Sequence, residues 1–213
     1  MYVKNRMAKN PITITADTTI SETLDLFKDN DFHRLPVVNR DNKLIGLISE
    51  ELIQANTPSK ATSLSIHELN YLLSKTTVES IMLKDVPTCD PDMLLEDAAD
   101  LMRRRSVSCL PVIKNDKVVG IITQKDIFAA FIDLMGTHEK GARVVVEIAE
   151  DRPGIMADIA TILGNEKINI SHLAVYYDDA ISIVIRVQFE KGEKAAELLE
   201  AHGYKVTDVR SNL

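Results

Sequence analysis

The chain has 213 residues, of which 45% are hydrophobic and 27% charged, the balance of a folded globular protein rather than a disordered or fibrous one. Its formal net charge of −7 disfavours sequence-independent binding to nucleic acid, which depends on neutralising phosphates. The longest apolar helix pattern, at 127–135, is too short to cross a bilayer, and the N-terminal segment lacks the apolar region of a signal peptide. We therefore expect a cytoplasmic protein of two domains that binds neither nucleic acid nor membrane.

The first predicted unit is a helix followed by two strands. Thr19 lies three residues before Glu22, the spacing of a capping box, so a helix should begin there. One face of this helix is apolar and carries Ile20, Leu24 and Phe27. The segment "LPVVNRDNKLIGLIS" (35–49) then predicts two short apolar strands joined by a polar turn.

The same pattern returns later in the chain. "LPVIKNDKVVGIIT" (110–123) repeats the strand pair with one residue deleted in the turn, and "VESIM" (78–82) matches "VKNRM" (3–7). In the second copy we expect Asp92 to cap a helix whose apolar stripe is Leu95, Ala98, Ala99 and Met102. The repetition predicts two α/β units, repeat one over about 1–55 and repeat two over about 76–135.

A helix is predicted between the two copies, over about 64–75. Ser65 precedes Glu68 by three residues, again the spacing of a capping box, and Leu69, Leu72 and Leu73 follow.

Three features of the repeat resemble the CBS domain. They are the "LPV" that enters the first strand, the glycine that opens the second, and a hydroxyl residue with an aspartate three positions later. Two copies in tandem resemble a Bateman module, over residues 1–135. The resemblance implies a cleft between the repeats that binds an adenine nucleotide, with AMP, ADP, ATP and S-adenosylmethionine as the ligands to consider.

In that family the aspartate accepts hydrogen bonds from the ribose hydroxyls. Thr123 and Asp126 match this element, whereas repeat one keeps Ser49 but has Leu52 in place of the carboxylate. The resemblance therefore implies one competent nucleotide site in each chain. The alternative is that Asp126 is only a favourable charge at a helix start, although this does not explain a threonine three residues earlier.

Other parts of the implied cleft differ in how well they match. Thr88, Val107 and Ser108 correspond to lining positions, and His33 or Arg34 could offer positive charge to a phosphate from the other repeat. The family often has glycine a few residues before "LP", where this chain has Asp31 and Ser106. That departure weakens both sites.

The last seventy or so residues follow a different pattern, βαββαβ. Strands are predicted at "ARVVVEIA", "INISHLAVYY", "ISIVIRVQF" and "YKVTDV", and helices within "DRPGIMADIATILGNEK" and "KGEKAAELLEAHG". This order predicts a ferredoxin-like fold over 142–213. Pro153 suits the first helical turn, and the missing Cβ of Gly154 allows close approach to the backbone.

The order of elements and the "DRPGIMADIATIL" loop resemble an ACT domain, a regulatory module that often binds amino acids. The resemblance implies an amino-acid site at a homodimer interface, and it carries Asp151, Gly154, Ile155 and Asn169 into that site. The alternative is that Asp151 caps the helix, that Asn169 sits in a turn, and that the domain serves only to dimerise.

The whole arrangement resembles bacterial acetoin utilization proteins, which implies a regulatory function in carbon metabolism and a protein target that the sequence does not identify. The alternative is an oligomerising scaffold whose ligand sites have decayed. An enzyme is least expected, because the five histidines are dispersed and no hydrolase, phosphate-loop or zinc-peptidase motif occurs. We expect no required cofactor and no metal; Cys89 and Cys109 should be small apolar strand residues.

Overall fold

Each sequence repeat forms an antiparallel strand pair flanked by helices in the computed structural model, which describes residues 1–30, 32–57 and 65–212. Repeat one contains β1 (Ala8–Lys9), α1 (Ile20–Asp29), β2 (Arg34–Val38), β3 (Leu44–Ser49) and α2 (Glu50–Asn56). The helix α3 (Ile66–Lys75) follows, and repeat two contains α4 (Leu95–Arg105), β4 (Cys109–Lys114), β5 (Lys117–Thr123) and α5 (Gln124–Leu134). The chain divides into two compact units, Met1–Ile127 and Phe128–Leu213.

Helix starts in the first unit follow local chemistry. Thr19 and Glu22 form the predicted capping box, and so do Ser65 and Glu68 at α3. For α4 the predicted helix is present, with Leu95, Ala98 and Met102 buried, but the predicted cap was wrong: the N-cap residue is Leu94. The carboxylate of Asp92 instead forms an ion pair with Lys4. The lead segment of repeat one, the residues that precede its first helix (1–9), lies against this turn.

The lead segment of each repeat pairs with a strand of the other repeat. Strand β1 pairs with β5 of repeat two, and Leu83 forms a bridge with Leu47 on β3 of repeat one. A Cβ atom built on Gly120 would lie 2.5 Å from the sulfur of Met7, and one on Gly46 would lie 2.6 Å from the sulfur of Met82. The glycine that opens the second strand of each repeat therefore leaves room for a methionine from the other repeat.

The hairpin turns of the two repeats also meet. The backbone N–H of Val118 donates to the carbonyl of Asn42, and the Asn42 amide donates to the carbonyl of Val118, both at 3.1 Å. These contacts join the repeats at the turns, so both strand pairs belong to one folded unit.

The second unit begins within α5 and, from Gly141 onward, forms a four-stranded antiparallel sheet with two helices. Its elements are β6 (Gly141–Ile148), α6 (Ile155–Asn165), β7 (Ile170–Tyr177), β8 (Ile181–Val187), α7 (Gly192–Ala201) and β9 (Lys205–Asn212). The strand order β7-β8-β6-β9 is that of a ferredoxin-like fold, which confirms the predicted fold class.

The core of this unit forms where the helices pack on the sheet. Alternate residues of β6 and β8 point inward and are fully buried, including Val144, Val146 and Ile185. Ile159 and Leu163 of α6 and Leu199 of α7 complete the cluster. Among the residues that the structure describes, no helix in either unit combines the length and the apolar character that a membrane span requires.

Candidate ligand-binding sites

The end of β5 joins a helix start through Thr123 and Asp126. The Oδ2 oxygen of Asp126 accepts hydrogen bonds from the backbone N–H of Thr123 at 2.8 Å and from its hydroxyl at 2.7 Å. The Asp126 N–H lies 3.4 Å from the Thr123 hydroxyl oxygen. This reciprocal cap explains the threonine three residues before the aspartate, so the spacing alone is not evidence for a ligand.

Val107 and Ser108 lie against the same helix start. The Gln124 N–H donates to the carbonyl of Ser108 at 3.0 Å, and the Gln124 side-chain amide donates to the carbonyl of Val107 at 3.4 Å. The fold thus brings Val107, Ser108, Thr123 and Asp126 to one strand edge, where all four are half-buried.

Thr88 is exposed and lies just before a segment that pairs with β4. The N–H of the next residue, Cys89, donates to the carbonyl of Pro111 at 3.1 Å. Thr88 therefore approaches the repeat-two strands from the other side of β4.

Arg34 begins β2 in repeat one and is held by a carboxylate of the same repeat. Its Nη2 nitrogen lies 2.8 Å from Oε1 and 3.2 Å from Oε2 of Glu51. Burial raises the pKa of the Cys109 thiol to about 11, while the nearby Arg34 lowers it and Glu51 raises it. Both charges therefore act on the strand that borders the repeat-two site.

Repeat one has the equivalent strand end without the carboxylate. The Ser49 hydroxyl accepts from the backbone N–H of Leu52 at 3.2 Å, and the Leu52 side chain packs against the repeat-one core. His33 lies 2.9 Å from Glu50, so its ring already has an acidic partner. This strand end presents an apolar side chain where Asp126 stands in repeat two.

The position where the family often has glycine has a left-handed backbone in repeat two. Ser106 ends α4 with φ of 52° and ψ of 42°, a conformation that glycine adopts with little strain. Ser106 therefore adopts the left-handed backbone conformation that glycine would adopt at this position. Its counterpart Asp31 lies outside the described residues.

In the second unit, three of the four predicted residues border one cleft. It has a volume of about 190 Å³, and its lining is Ile148, Asp151, Arg152, Gly154, Ile155, Met156, Val175, Tyr177, Ile181 and Ile183. Asn169 does not border the cleft, because it lies just before the start of β7 and the cleft is lined by residues at the end of that strand. The backbone N–H of Asn169 donates to the side-chain oxygen of Gln188 at 3.2 Å.

The loop before α6 excludes the alternative in which Asp151 caps the helix, and it differs from the prediction for Pro153. Gly154 is the N-cap residue, with φ of 92°, so Asp151 does not cap the helix. Pro153 lies in the preceding turn rather than in the first helical turn. Arg152 forms an ion pair with Asp158 at 2.6 Å, and the hydrogen bond to that carboxylate raises the guanidinium pKa.

Several residues at these sites were not predicted from the sequence. Glu51 was missed because nothing local distinguishes it from other acidic residues at a helix start. Val175, Ile181 and Ile183 of the cleft were missed as site residues, although the alternation along β8 does predict which residues face inward. Within 1–30, 32–57 and 65–212, no cluster of histidine, cysteine and acidic side chains has an arrangement that could hold a metal ion.

These folds and strand-end elements define a regulatory protein built from a CBS domain pair and an ACT domain. The family model for the CBS domain matches residues 3–53 and 78–133, and the model for the ACT domain matches 143–210. The chain belongs to the CBS domain family and carries a C-terminal ACT domain.

Curated relatives match mainly over the CBS pair. A protein of Methanocaldococcus jannaschii, MJ1426, is 32% identical over 155 residues, which cover 62% of this chain and 92% of that protein. The inosine-5'-monophosphate dehydrogenase of Nitrosopumilus maritimus is 30% identical over 122 residues, 57% of this chain but only 22% of the enzyme. The similarity to that enzyme is thus confined to the CBS region.

Solved structures match the same region. An acetoin utilization protein (AcuB) from Vibrio cholerae is 27% identical and aligns with a TM-score of 0.55 over 65% of this chain and 96% of its own. The CBS pair of protein MJ0100, in complex with 5'-methylthioadenosine and S-adenosyl-L-methionine, is 28% identical, with a TM-score of 0.51 over 62% and 95% of the two chains. CBSX2 of Arabidopsis thaliana, in complex with AMP, is 26% identical, with a TM-score of 0.51 over 62% and 97%.

Proposed function

We propose that this protein is a regulatory ligand sensor that binds one adenine nucleotide, or a related adenosyl compound, at the repeat-two strand end. The observation that carries the proposal is the Thr123–Asp126 element beside Val107 and Ser108, in a CBS pair similar to two that are solved with adenosine-containing ligands. Asp126 would accept from the ribose hydroxyls, and the start of α5 would face the polar end of the ligand.

One site in each chain follows from the difference between the repeats. Leu52 has no acceptor for a ribose, and burying hydroxyls against it without partners costs free energy. Arg34, with Thr88 on the other side of β4, would contact the ligand of the repeat-two site, so that both repeats contribute to one nucleotide.

The second sensing element is the ACT domain, which would bind an amino acid at the cleft formed by Asp151, Gly154 and Ile155. Strand β7 is an edge strand of the sheet, so two copies could pair along it. Antiparallel pairing would bring Asn169 of the partner subunit toward the cleft, because the start of one strand then lies beside the end of the other. The protein would act as a homodimer.

The output would be a change in the affinity for a protein target rather than a reaction. A ligand shifts such an equilibrium only through different affinities for its two states. The similarity to the Vibrio cholerae protein favours a role in acetoin or related carbon metabolism.

The two cysteines are free and buried, which suits a reducing cytoplasm.

The test is isothermal titration of the full chain with AMP, ADP, ATP, S-adenosylmethionine and 5'-methylthioadenosine. We expect one adenosine-containing ligand to bind with a stoichiometry of one per chain, and Asp126→Ala to weaken it at least tenfold. Leu52→Ala is the matched control at the equivalent position, and it should leave the affinity unchanged. Binding that survives Asp126→Ala would contradict the proposed site.

A non-catalytic scaffold is the second candidate. The observation in its favour is that Asp126 is engaged by Thr123 and Arg34 by Glu51, so that the ligand would have to replace existing contacts. A stable oligomer that binds none of the five compounds, and whose size is the same in their presence, would support the scaffold.

A further inference from the structure

Six of the ten residues that line the cleft in the ACT domain have aliphatic or thioether side chains. Its floor is formed by Ile148 and Ile183, which are 5% and 1% exposed. The walls come from four half-buried side chains, Ile155, Met156, Val175 and Ile181.

The polar side chains among the lining residues are the exposed ones. Among the described residues that line the cleft, those with polar side chains are Asp151, Arg152 and Tyr177. All three are exposed, and Tyr177 retains 69% of its accessible surface. Gly154 adds no side chain at the rim, and a Cβ atom built there would meet no described atom within 4 Å.

We propose that the ligand of this cleft is an α-amino acid with a hydrocarbon side chain, such as leucine, isoleucine or valine, inserted side chain first. The inference rests on the proposed amino-acid sensing and names the class of amino acid. A polar or charged ligand side chain would lose hydration in the cleft and meet no buried polar side chain among the lining residues, whereas an apolar one gains from leaving water.

The dimensions agree with this class. An apolar protein cavity of about 150 Å³ lined by leucine, isoleucine and phenylalanine is large enough to hold benzene. The cleft, at about 190 Å³, therefore has room for a branched aliphatic side chain. At the mouth, the carboxylate of Asp151 would pair with the ammonium group of the ligand. The N–H groups that follow Ile155 in the first turn of α6 lack partners within the helix and would meet its carboxylate, whereas the Ile155 N–H donates to the carbonyl of Arg152 at 3.4 Å.

The experiment is isothermal titration of the full chain with two pairs of amino acids of nearly equal shape, leucine with asparagine and valine with threonine. We expect leucine and valine to bind at least tenfold more tightly than their polar counterparts. Val175→Thr, which places a hydroxyl in the wall, should weaken leucine binding by about tenfold. The matched control is Val206→Thr on β9, the same substitution at another half-buried valine, which is outside the cleft lining.

The outcomes separate this inference from the proposed function. Asparagine or threonine binding as tightly as its apolar counterpart would overturn the inference while leaving amino-acid sensing in place. Failure of all four amino acids to bind would overturn both. Leucine binding that is weakened by Val206→Thr and not by Val175→Thr would place the ligand outside this cleft, and the inference would again fail. Melting temperatures of both variants establish that they are folded.

Discussion

The Oδ2 oxygen of Asp126 accepts two hydrogen bonds from Thr123, one from the backbone N–H at 2.8 Å and one from the hydroxyl at 2.7 Å. A single carboxylate thus completes the start of α5 and stands at the strand end where the nucleotide is proposed to bind. A substitution that keeps the helix contacts but removes the charge separates these two roles.

Asp126→Asn should retain much of the stability and lose the ligand. The asparagine carbonyl can still accept from Thr123, whereas alanine cannot, so Asp126→Ala should lower the free energy of unfolding by about 1 kcal/mol relative to Asp126→Asn. Both variants should bind the adenine ligand at least tenfold more weakly, because a carboxylate forms the stronger hydrogen bonds to a ribose. Urea denaturation and isothermal titration measure the two effects, and equal ligand affinity in wild type and Asp126→Asn would contradict the ribose role.

Glu51→Gln should favour phosphorylated ligands. Glu51 contacts Arg34 through both carboxylate oxygens, so a phosphate that binds Arg34 must compete with it. We expect AMP affinity to rise about three- to tenfold, with 5'-methylthioadenosine, which has no phosphate, unchanged. Glu50→Gln, next to it on α2 and paired with His33, is the control. An equal gain for both ligands would show that Glu51 does not act through a phosphate contact.

Gly120→Ala should destabilise the CBS pair. The added Cβ atom would lie 2.5 Å from the Met7 sulfur and 3.0 Å from the backbone carbonyl oxygen of Ala8. The sulfur can move and the carbonyl much less, so we expect a loss of about 1–3 kcal/mol in the free energy of unfolding. Met7→Ala combined with Gly120→Ala should lose less than the sum of the two single changes.

Gly164→Ala in α6 is the comparison for this prediction. Its added Cβ atom would meet no described atom within 4 Å, and alanine is the better helix former by up to about 1 kcal/mol. In thermal and chemical unfolding, Gly120→Ala should therefore lower the free energy of unfolding, whereas Gly164→Ala should raise it. The same sign for both would mean that the Met7 contact is not the cause.

The capping box of α1 should make stability depend on pH in the acid range. Hydrogen bonds from the backbone and then the hydroxyl of Thr19 lower the pKa of Glu22 from its usual 4.5. A folded-state pKa below the unfolded value contributes stability that is present above pH 4.5 and is lost as the pH falls through the folded value. Wild type should thus exceed Glu22→Gln in stability at pH 7, and the difference should shrink below pH 4.5.

A titration of the Glu22 carboxyl by NMR checks the direction of this shift independently. Thr19→Ala should bring the Glu22 pKa back toward its usual value, because the side-chain hydrogen bond is lost. A Glu22 pKa that is the same in wild type and Thr19→Ala would exclude the hydroxyl as a cause.

Both thiols should be unreactive in the folded protein. Burial raises the pKa of Cys89 to about 12 and that of Cys109 to about 11, and the thiolate is the reactive form. A disulfide reagent at pH 8 should therefore modify neither cysteine until denaturant is added, after which both should react. Rapid modification of the native chain would contradict the buried positions of these residues.

Much of the fold could be predicted because it depends on interactions between residues that are close in sequence. The capping boxes of Thr19 with Glu22 and of Ser65 with Glu68 join residues three positions apart, so the sequence contains both partners. The failure at Asp92 has the opposite cause: its partner, Lys4, comes from the other end of the CBS pair and cannot be seen in the local sequence.

By itself the sequence determined the repeat, the order of helices and strands, and the two module types, because periodicity, turns and caps are local properties. Only the tertiary structure decided that the lead segments cross between repeats, that Glu51 holds Arg34, and that Val175, Ile181 and Ile183 meet at a cleft with Gly154. The crossing segments and the cleft bring together residues that are distant along the chain. The Arg34 contact selects Glu51 from several nearby acidic residues. Packing, rather than local preference, makes that choice.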